Sequence, residues 1–466
     1  MDRKQEISKT FDYIYKKFCT RNLREATKNE PMPVALLFMF LKYVSDNKDR
    51  LGLEFEEKYE FDFLTLIYDK KISYRDLIEH IAKVERQLGF YNGILKKFAQ
   101  SSDLSSFGDD IVEVLEEINL LNLKSEGKSR LVYDVVVEYF SAQSTKELRF
   151  PDESITNISL SKLIARVSDV NEGMTIYDFS VGYGTTLIEA TRGHRCKLYA
   201  QDKDLASAAV AIMLMVMSEN RDATVYCDDS IFNPLTLIEK DMTFDRVVAV
   251  PPFGIKIDSL DSNKAKELEN SFIYGSNFKI RGDFIFARHL LVALKEGGIG
   301  SIIMPMGTLF RKGEEGKLRK KLLDDNYIDT VVELPEGIIQ GTAIKVALVN
   351  FKKGRTDEDV FIVDLSKEKT KHYFEPDGRA SKKIKDSALQ DISKLILQKK
   401  EIKGIAKLVD KKEIYNNDTN LCAGVYMPPE LEDLTVDNVE HLMEKNNKLY
   451  KELYRLDEEF RGVVEK

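Results

Sequence analysis

The sequence predicts an α/β fold built on a mostly parallel sheet, preceded by an all-helical region. Two patterns support this prediction. In residues 174–190 a short β-rich run meets a turn that contains Gly182 and Gly184, and then continues as an apolar-periodic helix. Three further β-rich runs follow, and each ends next to an acidic or proline-rich stretch. Strands and helices that alternate in this way place ligand groups at the carboxyl ends of the strands.

Helical periodicity fills the region before the sheet. Phe11, Ile14 and Phe18 recur at three- and four-residue spacing, and similar stripes continue to about Phe140. This spacing places apolar side chains on one face of each helix. We therefore predict an N-terminal all-α domain at residues 1–145, whose apolar faces pack on each other.

Composition limits the classes of function. The 466 residues carry a formal net charge of −8, which argues against a strongly basic protein that grips DNA alone. The four cysteines form no Cys-x-x-Cys pair, so we expect no metal site. The N-terminus has no apolar signal core, and no apolar run reaches membrane-spanning length. We expect a cytoplasmic protein.

Acidic residues mark the ends of three predicted strands. Asp178 ends the first strand, Asp202 ends the second, and Asp229 follows the third. A carboxylate at the end of the second strand is where nucleotide-binding folds hold ribose hydroxyls. Gly182 and Gly184 would let a ligand approach the backbone N–H groups of the first turn. The glycine pair alone is equally compatible with ordinary turn chemistry.

The fourth strand, residues 244–250, runs directly into a proline-rich loop. This loop begins Val250-Pro251-Pro252-Phe253. Two consecutive prolines stiffen a loop and remove two N–H donors, so the carbonyl groups and the next aromatic ring face outward. An aromatic ring on a rigid loop beside a nucleotide site can stack on a base that has been turned out of a DNA helix.

With these motifs the chain resembles the modification (M) subunits of type I restriction-modification systems, which are S-adenosylmethionine-dependent adenine-N6 DNA methyltransferases. Other segments follow the order and spacing of that family. They are residues 36–46, 282–286, 304–310, 316–323 and 328–335. The resemblance covers about residues 10 to 355.

The resemblance implies a Rossmann-like methyltransferase core at residues 146–355, with S-adenosyl-L-methionine as the cofactor. It implies that Asp202 holds the ribose hydroxyls, that Asp229 binds the adenine amine of the cofactor, and that Phe253 stacks on the target adenine. The implied cofactor-binding residues are Thr156, Asp178, Gly182, Gly184, Asp202 and Asp229. The implied catalytic residues are Val250, Pro251, Pro252 and Phe253.

The sequence departs from the family at chemically demanding positions. Val250 stands where the family has Asn or Asp, a side chain that accepts a hydrogen bond from the target amine. Phe179 replaces a proline, and Val181 and Tyr183 replace smaller or softer residues. Residues 155–157, Ile-Thr-Asn, stand where the family has Tyr-Thr-Pro. Losing one aligned polar group costs on the order of 3 kcal/mol, or roughly 100- to 1,000-fold in rate.

Three functions therefore stay open. The first is an active adenine-N6 methyltransferase subunit. The second is a catalytically silent scaffold or DNA-binding subunit of a related defence complex. The third, which nothing else in the chain supports, is methylation of RNA or protein.

Three further segments have two interpretations each. Residues 255–281 form either a surface insertion or a loop near the target base. The basic run 311–321 is either a solvated helix face or a phosphate-facing surface. Residues 433–466 form a coiled-coil-like helix that either folds back on its own domain or docks onto a partner. Its a/d seam consists of Val439, Leu442, Asn446, Leu449, Leu453, Leu456, Phe460 and Val463. Residues 356–432, which precede this helix, are a mixed region with one interpretation only.

The resemblance implies the partners. The specificity (S) subunit would bind the C-terminal helix, and double-stranded DNA would bind the assembled complex. A second copy of the chain and a restriction subunit would complete that assembly. No membrane partner is expected.

Overall fold

The computed structural model describes most of the chain. The described ranges are 2–25, 31–54, 74–102, 110–127, 130–146, 155–239, 242–255, 282–340, 344–378 and 381–427, with isolated residues between 263 and 273, at 342 and between 443 and 448. The predicted C-terminal seam and most of the segment 255–281 lie outside the described residues. No helix in the described part has the length and apolarity needed to cross a bilayer.

Seven helices make up the described part of the N-terminal region. They are α1 (Arg3–Glu25), α2 (Pro31–Asp46), α3 (Lys48–Leu51), α4 (Tyr74–Gln87), α5 (Ile94–Ser101), α6 (Asp110–Asn119) and α7 (Leu131–Lys146). Helix α2 is buried along nearly its whole length because apolar residues cover all of its faces. It packs against α1 on one side and against a core helix on the other. The helical prediction for this region is confirmed.

The core alternates strands and helices as the sequence predicts. Its strands are β1 (Thr175–Asp178), β2 (Lys197–Asp202), β3 (Ala223–Cys227), β4 (Phe244–Ala249), β5 (Leu294–Pro305), β6 (Ile328–Glu333), β7 (Val346–Lys352), β8 (Val360–Asp364), β9 (Phe374–Pro376), β10 (Lys382–Ile384) and β11 (Ala406–Val409). Its helices are α8 (Ile158–Val167), α9 (Thr185–Ala190), α10 (Leu205–Met217), α11 (Leu235–Ile238), α12 (Gly282–Ala293), α13 (Glu314–Asp324), α14 (Asp386–Leu397), α15 (Lys411–Asn416) and α16 (Ala423–Tyr426).

Nine of these strands form one sheet in the order β11-β8-β6-β7-β5-β4-β1-β2-β3. Strands β3, β2, β1, β4 and β5 are parallel, so their carboxyl ends meet at one edge. Strand β7 is antiparallel to both β5 and β6. Strands β6 and β7 therefore form an antiparallel pair inside the sheet, because β8 and β11 extend the sheet beyond them. The sheet therefore continues past residue 355, the predicted end of the core.

Two glycines, Gly297 and Gly298, follow α12, and they belong to the next strand and do not cap the helix. The helix ends at Ala293, and Gly297 and Gly298 lie within β5, where the register with β4 shifts. A Cβ atom on Gly298 would lie 2.8 Å from the carbonyl oxygen of Lys295 and 3.2 Å from that of Asp245. Close packing of two backbones therefore explains this glycine.

Helix α10 joins the two regions. Every residue from Ser207 to Met217 is buried, and the helix packs against α2 and α5 on the side away from the sheet. The side chain of Asp204 caps the helix by accepting a hydrogen bond from the N–H of Ser207. The ring centroids of Phe140 in α7 and Tyr183 in the turn after β1 lie 5.5 Å apart. The glycine turn after β1 is thus supported from behind by the N-terminal helices.

Candidate cofactor and target-base site

A cavity of about 600 Å³ opens at the carboxyl ends of the parallel strands. Its lining combines the turn after β1, the ends of β2 and β3, and the loop after β4. It includes the predicted residues Thr156, Gly182, Asp202, Asp229, Val250, Pro251, Pro252 and Phe253. Two predicted residues, Asp178 and Gly184, are not part of the lining. The cavity has the size of a small-molecule cofactor site.

Asp178 lies beneath the cavity. Only 1% of it is exposed, and its Oδ1 atom accepts a hydrogen bond of 2.9 Å from the N–H of Ser180. Burial, with a smaller contribution from the charge of Asp202, raises the pKa of Asp178 to about 8, although the Ser180 bond opposes the shift. At neutral pH this carboxyl group therefore holds a proton and shapes the turn.

Asp202 lines the cavity and organises the glycine turn. Its Oδ2 atom accepts a 2.8 Å hydrogen bond from the N–H of Gly182, and its Oδ1 atom accepts one of 3.0 Å from the N–H of Asp204. Burial raises the pKa of Asp202 in spite of these bonds. Each carboxylate oxygen has capacity for a second hydrogen bond. Asp202 can therefore accept bonds from a ligand hydroxyl while it holds the turn.

The two glycines of the first turn have different roles. Gly182 has a φ of +51° and lines the cavity. Gly184 has a φ of +81° and precedes α9. A Cβ atom on Gly184 would lie 3.4 Å from the Cβ atom of Ala211 in α10. The structure therefore places Gly184 in close contact with α10, and the approach of its backbone to the cofactor stays a prediction.

Thr156 and Asp229 both line the cavity, and each lies next to a turn that a side-chain hydrogen bond holds. Thr156 precedes Asn157, whose Oδ1 atom accepts a 2.9 Å hydrogen bond from the N–H of Ser159 and so caps α8. The asparagine that replaces the family's proline thus starts the helix by another means. Asp229 accepts a 2.9 Å hydrogen bond from the N–H of Ile231. This bond fixes the turn after β3 and keeps the carboxylate at the cavity wall.

The loop after β4 forms the remaining wall. Val250 and Phe253 are half-buried and pack against the apolar core, and Pro251 is buried between them. Gly254 follows with a φ of +65°, a conformation that favours glycine. Phe253 therefore presents part of its ring to the cavity on a loop with little backbone freedom.

Aromatic rings form the floor between this loop and the first turn. Phe179 stacks on Phe286 of α12 with ring centroids 5.6 Å apart and an interplanar angle of 5°. The ring of His289 meets Phe179 edge-on at 5.2 Å. Phe179 and Phe286 both line the cavity. The substitution of proline by Phe179 therefore adds a buried stack without closing the site.

Sequence reasoning missed one wall of the cavity. Residues 339–344, in the connection between β6 and β7, contribute Ile339, Gln340, Thr342 and Ile344 to the lining. The Nε2 atom of Gln340 donates a 3.2 Å hydrogen bond to the hydroxyl oxygen of Ser141 in α7. This bond ties the wall to the N-terminal helices. No local pattern indicates the contact, because the two residues are far apart in sequence.

The basic run 311–321 is mostly paired within the chain. Lys312 contacts Asp418 at 3.1 Å, and Lys317 contacts Glu314 at 2.7 Å. Arg319 is buried, and it donates hydrogen bonds to the carbonyl oxygens of neighbouring loops. These contacts favour the solvated helix face over a phosphate-binding surface.

The charge of the cavity suits a cationic ligand. Asp202, Asp204 and Asp229 line it together with one basic side chain, Lys203. S-adenosylmethionine carries a sulfonium and an ammonium group against one carboxylate, and its hydroxyl and amine groups are hydrogen-bond donors. The acidic lining therefore fits this molecule. An α/β sheet with a ligand cavity at the carboxyl ends of its parallel strands defines the class of Rossmann-like, cofactor-binding proteins.

Comparison with known proteins identifies the family within this class. The model of the N-6 DNA Methylase family matches residues 130–433, more than half of the chain, so the chain belongs to this family. The methylase subunit of the type I restriction enzyme MjaVIII from Methanocaldococcus jannaschii is 28% identical, covering 93% of this chain and 81% of the relative. The MpnII methylase subunit of Mycoplasma pneumoniae is 24% identical, covering 79% and 72%.

Solved structures agree on the fold. The methyltransferase subunit of the type I restriction-modification system from Streptococcus thermophilus superposes with a TM-score of 0.71 at 21% identity, covering 92% of this chain and 100% of that chain. A modification subunit of a type I restriction enzyme from Vibrio vulnificus gives a TM-score of 0.60 at 15% identity. The resemblance to type I modification subunits and the S-adenosylmethionine-dependent fold are confirmed.

Proposed function

We propose that this chain transfers the methyl group of S-adenosylmethionine to adenine N6 in DNA, as a subunit of a type I restriction-modification system, and that Val250 slows the transfer. One observation carries the proposal. A single cavity joins the acidic ends of β2 and β3 to Phe253 on the loop after β4. A cofactor subsite and an aromatic platform for a base therefore share one space, as methyl transfer between the two requires.

The cofactor subsite consists of the acidic side of the cavity. S-adenosylmethionine, when bound, supplies a methyl group attached to a positively charged sulfur. Asp202 accepts hydrogen bonds from the ribose hydroxyls, and Asp229 accepts one from the adenine amine. Thr156 and the backbone at Gly182 contact the methionine end. Asp178 acts from below by holding the turn at Ser180.

The target subsite consists of residues 250–253. Phe253 stacks on the extruded adenine, a contact worth about 1–3 kcal/mol for a base on an aromatic ring. The carbonyl oxygen of Pro251 accepts a hydrogen bond from the N6 amine. The side chain of Val250 lines the same cavity but accepts no hydrogen bond. The amine is then oriented by one acceptor, and turnover falls by roughly 100- to 1,000-fold.

Both subsites lie in the methyltransferase core, residues 146–355, which the mixed region 356–432 extends. The helical domain, residues 1–145, and the C-terminal segment 433–466 serve assembly. The segment 433–466, predicted to be a helix, docks onto the specificity subunit in the cytoplasm. The net charge of −8 supports this arrangement, because partner subunits then supply much of the contact with DNA phosphates.

A second function has one specific observation in its favour. Val250 lacks the acceptor that family members place next to the target amine. A chain that keeps the fold and loses this group could bind DNA as a scaffold without methylating it. The two functions differ in whether methyl groups reach DNA.

Calorimetric titration of the purified chain with S-adenosylmethionine tests the cofactor subsite. We expect micromolar binding by the natural chain and at least tenfold weaker binding by Asp202→Ala, which loses the ribose acceptors. Asp386→Ala removes an exposed carboxylate near α8 and serves as the control. Absence of binding by the natural chain would remove the basis for methyl transfer.

A further inference from the structure

Helix α12 contacts the loop that carries Phe253 at several points. The N–H of Gly282, the first residue of the helix, donates a 2.9 Å hydrogen bond to the carbonyl oxygen of Ile255. A Cβ atom on Gly282 would lie 3.0 Å from both the Cβ atom and the carbonyl oxygen of Ile255. The helix and the loop therefore approach as closely as a glycine permits.

Asp283 makes the second contact. Its Oδ1 atom accepts a 2.9 Å hydrogen bond from the N–H of Gly254, the residue directly after Phe253. The carboxyl group is 4% exposed, so water competes little for this bond. The φ of Gly254 is +65°, and the bond holds this uncommon backbone conformation in place. Asp283 thus fixes the backbone next to Phe253 and, with it, the direction in which the aromatic side chain points.

Arg288 makes a third contact one turn and a half further along the helix. Its Nε atom donates a 2.8 Å hydrogen bond to the carbonyl oxygen of Ile273, and the N–H of Ile273 lies 3.5 Å from the carbonyl oxygen of Arg288. Arg288 is 2% exposed. A buried guanidinium is costly to desolvate, so a purely structural position would more cheaply hold an apolar residue.

The same helix also contributes to the cavity. Phe286 lies between Asp283 and Arg288 in sequence, lines the cavity, and stacks on Phe179. Helix α12 therefore contacts three parts of the site. These are the loop that carries Phe253, residue Ile273, and the aromatic floor of the cavity. One rigid element fixes all three.

We propose that α12 is a clamp for the target base, with Asp283 and Arg288 as positioning residues that hold Phe253 and Ile273 in place. Neither side chain reacts. Asp283 acts through Gly254 on the orientation of the ring that receives the purine, and Arg288 acts on the backbone of Ile273. The inference rests on the proposed function for the identity of the base, whereas the clamp itself is a property of the protein alone.

The chain offers a direct reporter of this clamp because it contains no tryptophan. Phe253→Trp creates a single-tryptophan protein whose emission reports the loop. We expect Asp283→Ala in this background to raise acrylamide quenching about twofold and to add a nanosecond component to the anisotropy decay. Asp283→Asn retains an acceptor oxygen and should keep the values of the parent. Equal quenching and anisotropy in parent and Asp283→Ala would overturn the clamp.

A control separates loop release from general loss of stability. Leu290 is fully buried on the same helix and packs against Gly300, away from the loop. Leu290→Ala should lower the Tm and leave the tryptophan signals unchanged. If Asp283→Ala does not fold by circular dichroism, Asp283→Leu, which fills the same space without an acceptor, replaces it with the same expected result.

A kinetic measurement on the natural Phe253 background tests the link to methyl transfer in the assembled complex with the specificity subunit. We expect Asp283→Ala and Arg288→Met each to lower kcat about 10- to 100-fold, with the KM for S-adenosylmethionine unchanged. Asp283→Asn and Arg288→Lys should restore part of the rate. A change in that KM with unchanged kcat would contradict the positioning role. If the natural complex transfers no methyl groups, the proposed function fails, and the tryptophan measurement still decides the clamp.

Discussion

Replacement of Asp178 by asparagine should stabilise the protein at neutral and alkaline pH. Burial raises the pKa of this carboxyl group from 3.8 to about 8. Between these two values the folded state binds a proton that the unfolded state has released. Stability therefore falls as pH rises through this window. Asparagine resembles the protonated carboxyl group in shape and keeps an oxygen that can accept the N–H of Ser180, but it does not titrate.

The size of the stabilisation by Asp178→Asn follows from the difference between the pKa values of Asp178 in the folded and unfolded states. Each pKa unit corresponds to about 1.4 kcal/mol, so at pH 7 the protonation of Asp178 costs up to about 4 kcal/mol. We expect Asp178→Asn to be more stable than the natural chain by an amount that grows from pH 4 to pH 8. Below pH 4 the two proteins should unfold with similar free energies.

Urea unfolding at a series of pH values measures this difference. Asp178→Ala is the matched variant, because it also abolishes the titration but leaves the N–H of Ser180 without its acceptor. It should be less stable than Asp178→Asn by about 1–3 kcal/mol at every pH. A difference between asparagine and the natural chain that does not change with pH, or that favours the natural chain at pH 8, would refute the reasoning.

Two further changes test the turn and the sheet. Gly184→Ala should lower the free energy of unfolding in urea by about 1–2 kcal/mol, because the φ of this residue is +81°. The control is Gly424→Ala, which should leave the free energy of unfolding unchanged because φ is not positive there and nothing lies within 4 Å of the added Cβ atom. Equal destabilisation by the two substitutions would contradict the role of the positive φ at Gly184. Burial opposes ionisation of Asp245, but hydrogen bonds from Thr175 and Lys295 lower its pKa to about 2. Asp245→Asn should therefore lower the free energy of unfolding by about 1 kcal/mol at pH 7 after solvent screening, and this difference should disappear as the pH falls from 4 to 2. A difference that persists at pH 2 would rule out the ion pair as its cause.

Local patterns in the sequence were enough to infer that several candidate residues lie together. Asp202, Asp229 and Phe253 lie at or after the end of a strand that is recognisable from its apolar run. Because parallel strands end at one edge of the sheet, their meeting in one cavity could be inferred without coordinates.

Contacts between distant segments could not be predicted in this way. The hydrogen bond from Gly254 to Asp283 and the wall around Gln340 depend on how separate loops pack. Strands β8 and β11 lie in a charged region whose composition hides them. The contact of Gly184 with Ala211 could not be predicted either, because a positive φ serves a ligand and a close helix contact equally well.

We expect Val250 to limit the rate of an otherwise complete methyltransferase site. Transfer of tritiated methyl groups from S-adenosylmethionine to DNA by the complex with its specificity subunit tests it directly. We expect Val250→Asn to raise kcat toward the full factor of roughly 100 to 1,000, and Val250→Ala, which adds no acceptor, to leave it unchanged. Equal rates for the natural chain and Val250→Asn, or no transfer by either, would contradict the account and favour the silent scaffold.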